Sequence, residues 1–223
     1  MRKFSLFLVI FLIVSCGQSI IVSNDTSSGS TEISLCGGKE YETSTYFCDA
    51  RDEQIYKWVK IGTQIWMAEN IRHEDSKSRC YGDDLNNCAI FGKMYDWNTA
   101  KTICPSGWHL PNDTEWIALA SFVEKNSNCS NCAGAKLKAN SSLWVSGKGT
   151  DNFGFTALPG GYHRNAFDSF YEKGAVAGFW SATTGSTSGS AHFRYFKNIN
   201  ATLNLEGFYI SEAFANVRCV KNI

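Results

Sequence analysis

The clearest periodic pattern of apolar residues lies in positions 113–125. Apolar side chains recur there at positions i, i+3, i+4 and i+7, namely Trp116, Leu119, Ala120 and Val123. Asn112, an N-cap residue type, precedes this run, and Glu115 follows three positions later, which is the spacing of a capping box. The pattern predicts a helix that begins at Asp113 and turns one apolar face towards a core.

A second helical pattern occupies positions 93–103, where Met94, Trp97, Ala100 and Lys101 fall at helical spacing. Cys104-Pro105 ends this segment, because proline lacks an amide hydrogen and biases the preceding residue away from the helical region. We therefore predict two helices, which pack antiparallel or across each other.

Period-two patterns predict the strands. Segment 54–61 has this pattern, and Gly62-Thr63 separates it from the short segment 64–67, which predicts a β-hairpin. Three further strands are predicted at 191–196, 203–209 and 215–220. In the last of these, Cys219 shares the inward side with Ala215 and Val217.

Glycine and aromatic residues interleave in the segment 144–180. No phosphate-cradling or dinucleotide-binding pattern occurs among these glycines. The composition favours short strands with long loops, and such loops are where binding residues concentrate.

The N-terminus has the pattern of an export signal. Arg2 and Lys3 precede an apolar run at 4–14 that is too short to span a bilayer, so residues 1–15 are predicted to be a cleaved signal peptide. The run ends in Ile13-Val14-Ser15-Cys16, which resembles the bacterial lipoprotein box; an ordinary signal peptide that holds a cysteine is the alternative. In the lipoprotein interpretation Cys16 carries the lipid, and residues 16–35, rich in Ser, Thr, Gly and Asn, form a flexible tether.

The charge of the chain argues against a nucleic-acid partner. The sequence has 21 basic and 21 acidic side chains, and removal of Arg2 and Lys3 with the signal peptide leaves a formal charge of −2. No run of Lys or Arg supplies the concentrated basic face that binding to phosphates requires.

Nine cysteines indicate an oxidising compartment. If Cys16 is lipidated, eight remain, which allows four disulfides, and eight cysteines permit 105 pairings. The segment 36–53 encloses Cys36 and Cys48 and reads as a small stapled unit upstream of the main domain at 54–223.

The segment GWHLPNDTEW, at 107–116, is the most distinctive motif of the chain. It resembles the GWHLP-x-x-x-EW element of the Fibrobacter succinogenes major paralogous domain. Other similar pieces follow in order, namely WMAEN at 66–70, Cys80-Tyr81 through Cys88, YDW at 95–97, GFTALPGG at 154–161, FWSAT at 179–183 and VRCVK at 217–221.

The resemblance implies an α+β fold of the C-type lectin-like kind, with two helices, short antiparallel strands, long loops and disulfide staples, because the LP-x-x-x-EW element is also similar to formylglycine-generating enzymes. It implies no known catalytic residues. Together with the closeness of some cysteines in the sequence, the resemblance suggests four disulfide pairs, namely Cys36–Cys48, Cys80–Cys88, Cys104–Cys219 and Cys129–Cys132.

Two cysteine segments allow other interpretations. Between Cys80 and Cys88 four Asp and Asn residues could supply oxygen ligands to calcium, but the EF-hand pattern is absent and a disulfide-closed turn is favoured. Cys129-Ser130-Asn131-Cys132 has the C-x-x-C spacing of zinc and redox sites. A second ligand pair and a thioredoxin-like context are both missing, which favours a local disulfide.

The residues give no catalytic constellation. The four histidines, His73, His109, His163 and His192, lack the spacing of a metal site or a catalytic base, and His109 is expected to be structural. Asp151, Glu172 and Glu206 are carboxylates that could converge in space, although nothing in the sequence singles them out. The sugar-binding tripeptides of calcium-dependent lectins do not occur. We therefore expect no enzyme activity, cofactor or metal.

The favoured function is a non-catalytic binding or adhesion domain on a lipid-anchored protein of the cell envelope, at the bacterial outer membrane or cell surface. Its expected partners are the membrane, through the anchor, and a polysaccharide or another surface protein. Five residues of the glycine-aromatic segment are the candidate ligand contacts, namely Tyr162, His163, Arg164, Phe170 and Tyr171. A secreted-side enzyme and a purely structural envelope protein are the alternatives.

Overall fold

The computed structural model describes residues 33–222 as a mixed α+β fold. The α-helices are α1 (Leu85–Phe91), α2 (Trp97–Ala100), α3 (Asp113–Asn126) and α4 (Ala133–Leu137). The strands are β1 (Ile33–Cys36), β2 (Lys39–Glu42), β3 (Tyr46–Asp49), β4 (Gln54–Ile61), β5 (Gln64–Met67), β6 (Met94–Tyr95), β7 (Tyr162–Arg164), β8 (Ser169–Tyr171), β9 (Val176–Thr184), β10 (Ser190–Lys197), β11 (Asn204–Tyr209), β12 (Ala213–Asn216) and β13 (Val220–Asn222). The predicted signal peptide, Cys16 and the tether as far as residue 32 lie outside the described residues.

The strands form three sheets. The largest has the order β11-β10-β9-β12-β7-β8, with β6 also paired to β12. Its pairs are antiparallel except for β12 and β9, which run parallel. A four-stranded sheet has the order β13-β5-β4-β3, and β1 pairs with β2. Because β12 and β13 are separated by only three residues, the C-terminus links the two larger sheets.

Helix α3 forms as the sequence predicts. The Asn112 side chain accepts from the Glu115 amide, and the Glu115 carboxylate accepts from the Asn112 amide, which completes the capping box. The helix buries Trp116, Leu119 and Val123 in a core that it shares with both larger sheets. There Trp116 packs against Trp66 of β5 at 4.7 Å and Phe179 of β9 at 5.5 Å between ring centroids.

The prediction of two helices is wrong, because the described residues contain four α-helices. Positions 93–103 do not form one helix: Met94 and Tyr95 extend the large sheet as β6, and Asp96 then caps the single turn of α2. The edge of β12 draws this segment into an extended form, where Tyr95 is fully buried.

The other pattern-based predictions have mixed outcomes. The hairpin forms as β4 and β5, and β10 and β11 lie within one residue of their predicted bounds. The strand predicted at 215–220 is wrong as a single element, since 217–219 leave the large sheet before Val220 joins β5. Cys219 is nevertheless fully buried.

Four disulfides join the same pairs that locality and resemblance suggest. Cys104–Cys219 spans 115 positions and fastens the turn before α3 to the segment that connects the sheets. Cys80–Cys88 encloses the first turns of α1, which begins after Asp84 accepts from the Asn86 amide. The predicted turn therefore contains a helix start.

The N-terminal segment joins the fold through a sheet. β3, which contains Cys48, pairs with β4 and so continues the four-stranded sheet. β1 begins at Ile33, so residues 33–35 of the predicted flexible tether are in a strand. Within residues 33–222, no helix has the length and apolar character needed to cross a membrane.

Candidate functional site

The hairpin of β7 and β8 carries the five candidate ligand residues. Tyr162 pairs with Tyr171, His163 with Phe170, and Arg164 with Ser169. Because neighbouring side chains on a strand point to opposite faces, the hairpin divides the candidates into two groups. Tyr162, Arg164 and Tyr171 lie on one face, and His163 and Phe170 lie on the other.

The first face belongs to a continuous row of four rings, which we call the tyrosine strip: Tyr171, Tyr162, Phe193 and Tyr195. Tyr162 stacks on Tyr171 with centroids 5.6 Å apart, and its other neighbour is Phe193 at 5.5 Å. Phe193 in turn stacks on Tyr195 at 5.5 Å. The strip thus crosses the large sheet from the edge strand β8 to β10.

Buried residues hold the strip in place. Phe193 is 1% exposed and packs on Phe208 of β11 at 4.6 Å, while the three tyrosines are half-buried. Gly178 of β9 makes room for this arrangement, since a Cβ atom there would lie 2.1 Å from the Phe193 ring. The tyrosine hydroxyls of the strip make no hydrogen bond within the described part of the chain. They are therefore free to bond a ligand.

Charged side chains surround the strip. Lys197 lies over the Tyr195 ring at 5.6 Å and 3.8 Å from the Glu172 carboxylate. Arg164 lies over Phe208 at 5.2 Å. Burial, followed by the nearby carboxylates of Glu172 and Glu206, raises the pKa of Tyr162 to about 12. The strip therefore offers neutral hydroxyls beside charges of both signs.

Glu172 and Glu206 both act electrostatically on Tyr162 and Tyr195 of the strip, but the third carboxylate considered does not. Asp151 accepts hydrogen bonds from the Thr156 amide and hydroxyl, at 2.8 and 2.7 Å, and burial raises its pKa. The positive charges of Arg218 and Lys57 act on the pKa of Asp151 in the opposite direction. Asp151 thus stabilises a turn away from the strip.

The second face of the hairpin is internal, so His163 and Phe170 are not part of the strip. His163 is fully buried between Phe170 at 4.6 Å and Phe214 at 5.8 Å. Its Nε2 lies 2.9 Å from Arg79 Nη1, and burial together with that guanidinium lowers its pKa. His163 is therefore a neutral core residue, and its side chain has no surface exposed to a ligand.

A second polar cluster lies where α3 begins, against β9 and β10. Asp113 accepts from His192 Nδ1 at 2.6 Å, from Arg194 Nη2 at 2.7 Å and from Ser181 Oγ at 2.7 Å. Burial raises the pKa of Asp113, but these three hydrogen bonds outweigh it and hold the pKa below its ordinary value. The carboxylate is therefore ionised at neutral pH.

The described residues contain one set of side chains whose geometry would suit a metal ion. Ligand atoms of Asp49, Asp52 and His73 all lie within 4.8 Å of one another. Arg51 already donates to both Asp49 oxygens, at 2.9 and 2.6 Å, and His73 Nδ1 contacts Asp52 at 2.6 Å. The Arg51 guanidinium thus occupies the position that a metal cation would need. We infer that Asp49, Asp52 and His73 stabilise the turn between β3 and β4.

Arg218 is a fully buried cation in the core. Its guanidinium donates to Asn70 Oδ1 at 2.8 Å and to the carbonyls of Met67 and Phe155. The Phe155 ring lies 4.6 Å from Arg218 Cζ. Burial lowers the pKa of Arg218 to about 9, so the side chain remains charged at neutral pH and joins three segments.

Comparison with known families assigns the chain. The family model for the Fibrobacter succinogenes major domain matches residues 59–221. The chain belongs to this family. No curated protein and no solved structure matches significantly.

The motifs shared with the Fibrobacter succinogenes major domain meet at Asp113. GWHLPNDTEW supplies Asp113, and FWSAT supplies Ser181 and Thr183. The Thr183 hydroxyl accepts from the Asp113 amide at 2.9 Å, while Ser181 bonds the carboxylate. VRCVK supplies the buried Arg218. Three of the motifs thus contribute to two polar networks, a partly buried one at Asp113 and a fully buried one at Arg218.

Sequence reasoning missed Phe193 and Tyr195 of the strip and the partners of His192. Phe193 and Tyr195 stand in a predicted strand, 22 or more residues after the favoured aromatic group, so their contact with Tyr162 depends on strand order. His192 and Arg194 alternate with Phe193 and Tyr195 along β10. That alternation was a signal that two faces of one strand carry different chemistry.

Proposed function

We propose that the domain is a cell-envelope binding module that holds polysaccharide on the tyrosine strip. The observation that carries the proposal is the row of three half-buried tyrosines with unbonded hydroxyls that pack on buried aromatic rings. Aromatic rings stack on the apolar faces of sugars, and hydroxyls and carboxylates bond their polar edges. Tyr162, Tyr171 and Arg164 remain in the proposed site, now with Tyr195, Glu172 and Glu206.

Rigidity of the scaffold supports a binding role. Phe193 and Phe208 beneath the tyrosines are buried in a core that also contains Trp180 and Cys219. The Cys104–Cys219 disulfide fastens that core across 115 positions. A ligand would meet side chains that are already ordered, which limits the entropic cost of binding. We also propose that the helices and strands of this domain are arranged as in C-type lectin-like domains.

The proposed location follows from the N-terminus. A lipid on Cys16 would fix the protein to a membrane of the bacterial envelope, and the residues that follow would hold the domain off that surface. The partners would be the membrane and a polysaccharide or surface protein, without nucleic acid. We expect Cys16→Ser to move the protein from the detergent phase to the aqueous phase; unchanged partitioning would contradict the anchor.

A ligand screen tests the binding function. The purified protein is incubated with insoluble polysaccharides and with a glycan array, with and without a calcium chelator. We expect depletion from solution by at least one polysaccharide in both conditions. Absence of binding in both conditions would overturn the carbohydrate form of the proposal, and binding that the chelator abolishes would show that a calcium site is required instead.

A further inference from the structure

The opposite face of the large sheet contains a cleft that shares only Glu206 with the proposed binding site. Its volume is about 410 Å³, and we call it the His192 cleft. Hydroxyl-bearing and titratable residues line it, namely Ser186, Thr187, Ser190, His192, Glu206 and Tyr209. The cleft is therefore polar and large enough for a small ligand and several waters.

The imidazole of His192 has a fixed orientation in this cleft. Its Nδ1 lies 2.6 Å from Asp113 Oδ2. An ionised carboxylate can only accept, so Nδ1 carries a hydrogen, and in the neutral imidazole Nε2 then has the free lone pair. Nε2 has no hydrogen-bond partner among residues 33–222, and the side chain is 22% exposed. The ring thus presents a proton acceptor to the cleft.

Asp113 is itself held rigidly. Its side chain is 16% exposed, and Arg194, which is 8% exposed, bonds both carboxylate oxygens, with Nε 3.1 Å from Oδ1 and Nη2 2.7 Å from Oδ2. Ser181 Oγ is the second donor to Oδ1. A histidine oriented by a carboxylate that is fixed in turn has the arrangement of a general base.

We propose that His192 is the general base of a second, hydrolytic site in this cleft, acting on a neutral carboxylic ester. His192 Nε2 takes a proton from water as the water oxygen bonds to the acyl carbon. The acyl carbon–oxygen bond then breaks, and the imidazolium returns the proton to the departing alkoxide, which gives one carboxylic acid and one alcohol. Hydroxyls of Ser186 and Thr187 can donate to the ester oxygens.

The substrate class follows from the cleft lining. Lysine and arginine are absent from the residues that line it, so an anionic substrate would gain no countercharge there. Hydrolysis of a glycosidic bond requires a pair of carboxylates, whereas Asp113 is fully engaged by its three partners. An ester needs only the oriented base and water, which suits the groups present.

Hydrolysis of 4-nitrophenyl acetate by the purified protein tests the site. The decisive variant is His192→Gln, because its amide can still donate to Asp113 while it cannot take up a proton. We expect a rate at least 100-fold below the wild type, in the range of general acid–base catalysis.

His109 supplies the matched control. Its Nε2 also bonds a carboxylate, Glu115 Oε1 at 2.7 Å, but its side chain is 44% exposed. His109→Gln should keep the wild-type rate. Equal rates for the wild type and His192→Gln, with equal thermal stability, would overturn the hydrolytic site. Binding of polysaccharide to the tyrosine strip is measured separately and does not depend on this result.

Discussion

At the scale of single residues, the hydrogen-bond partners of Asp113 could not be predicted from the local sequence. As the residue after the N-cap it looks like an ordinary acidic residue in the first turn of a helix. In the structure its carboxylate joins α3 to β9 and β10 through Ser181, His192 and Arg194. These partners are 68 to 81 positions away, so no local spacing could identify them.

Asp113→Asn tests the strength of this junction. We expect the free energy of unfolding at pH 7 to fall by about 3 kcal/mol, because Arg194 would remain buried without a countercharge. The pKa of Asp113 is below its ordinary value of 3.8. Its stabilising effect should therefore be present above that pH and lost as the pH falls through the depressed pKa.

The measurement is urea unfolding of both proteins at pH 7 and at several values below pH 4. The difference between wild type and Asp113→Asn should shrink as the pH falls. A difference that is constant with pH would show that the charge of Asp113 is not what stabilises the fold.

The positions of the candidate ligand residues also depend on contacts that are distant in the sequence. Tyr162 and Tyr171 could be favoured from the sequence because aromatic residues cluster there, and both lie in the strip. His163 is one position from Tyr162 yet fully buried. Composition identified the segment, but only strand pairing decides which face each side chain occupies.

At the scale of elements, the sequence predicts a helix correctly when consecutive residues alone determine it. The cap, the apolar stripe and the length of α3 can all be read from consecutive residues, and the helix forms within one residue of the prediction. The segment 93–103 has a helical pattern of similar appearance. Pairing of Met94 and Tyr95 with β12 overrides it, because the partner strand at 213–216 offers backbone bonds and burial.

Asn112→Ala tests the contribution of the capping box. We expect a loss of about 1 kcal/mol in the free energy of unfolding, since the Glu115 amide would lose its side-chain acceptor. Asn112→Ser should restore most of it, because serine also accepts at this position. Equal stability of all three proteins in chemical unfolding would mean that tertiary packing alone fixes the start of α3.

At the scale of the whole molecule, the disulfides differ in what they contribute. The chain-entropy model gives about 5 kcal/mol for the long closure of Cys104–Cys219 and about 2 kcal/mol for Cys129–Cys132, with separations of 115 and 3 positions. We expect the double variant Cys104→Ser/Cys219→Ser to be far less stable than Cys129→Ser/Cys132→Ser. Thermal unfolding of the two variants measures this, and equal losses would contradict the assignment of Cys104–Cys219 as the main staple.

The division of the molecule into sheets was harder to predict than its secondary structure. The family motifs indicated a mixed α+β domain, and residues 59–221 match the family model. The strand order of the large sheet joins β9 to β12 across two intervening strands, and this crossover brings β7 and β8 into the same sheet as β10. The tyrosine strip exists only because of that order.

The affinity of strip variants for polysaccharide tests the central claim most directly. Binding isotherms are measured for the wild type, Tyr171→Ala and Tyr195→Ala, with Tyr41→Ala as the control, since Tyr41 is a half-buried tyrosine in the separate β1–β2 sheet. We predict that each strip variant binds at least tenfold more weakly, a loss of about 1.4 kcal/mol, while the control binds like the wild type. Wild-type affinity in both strip variants would contradict the account.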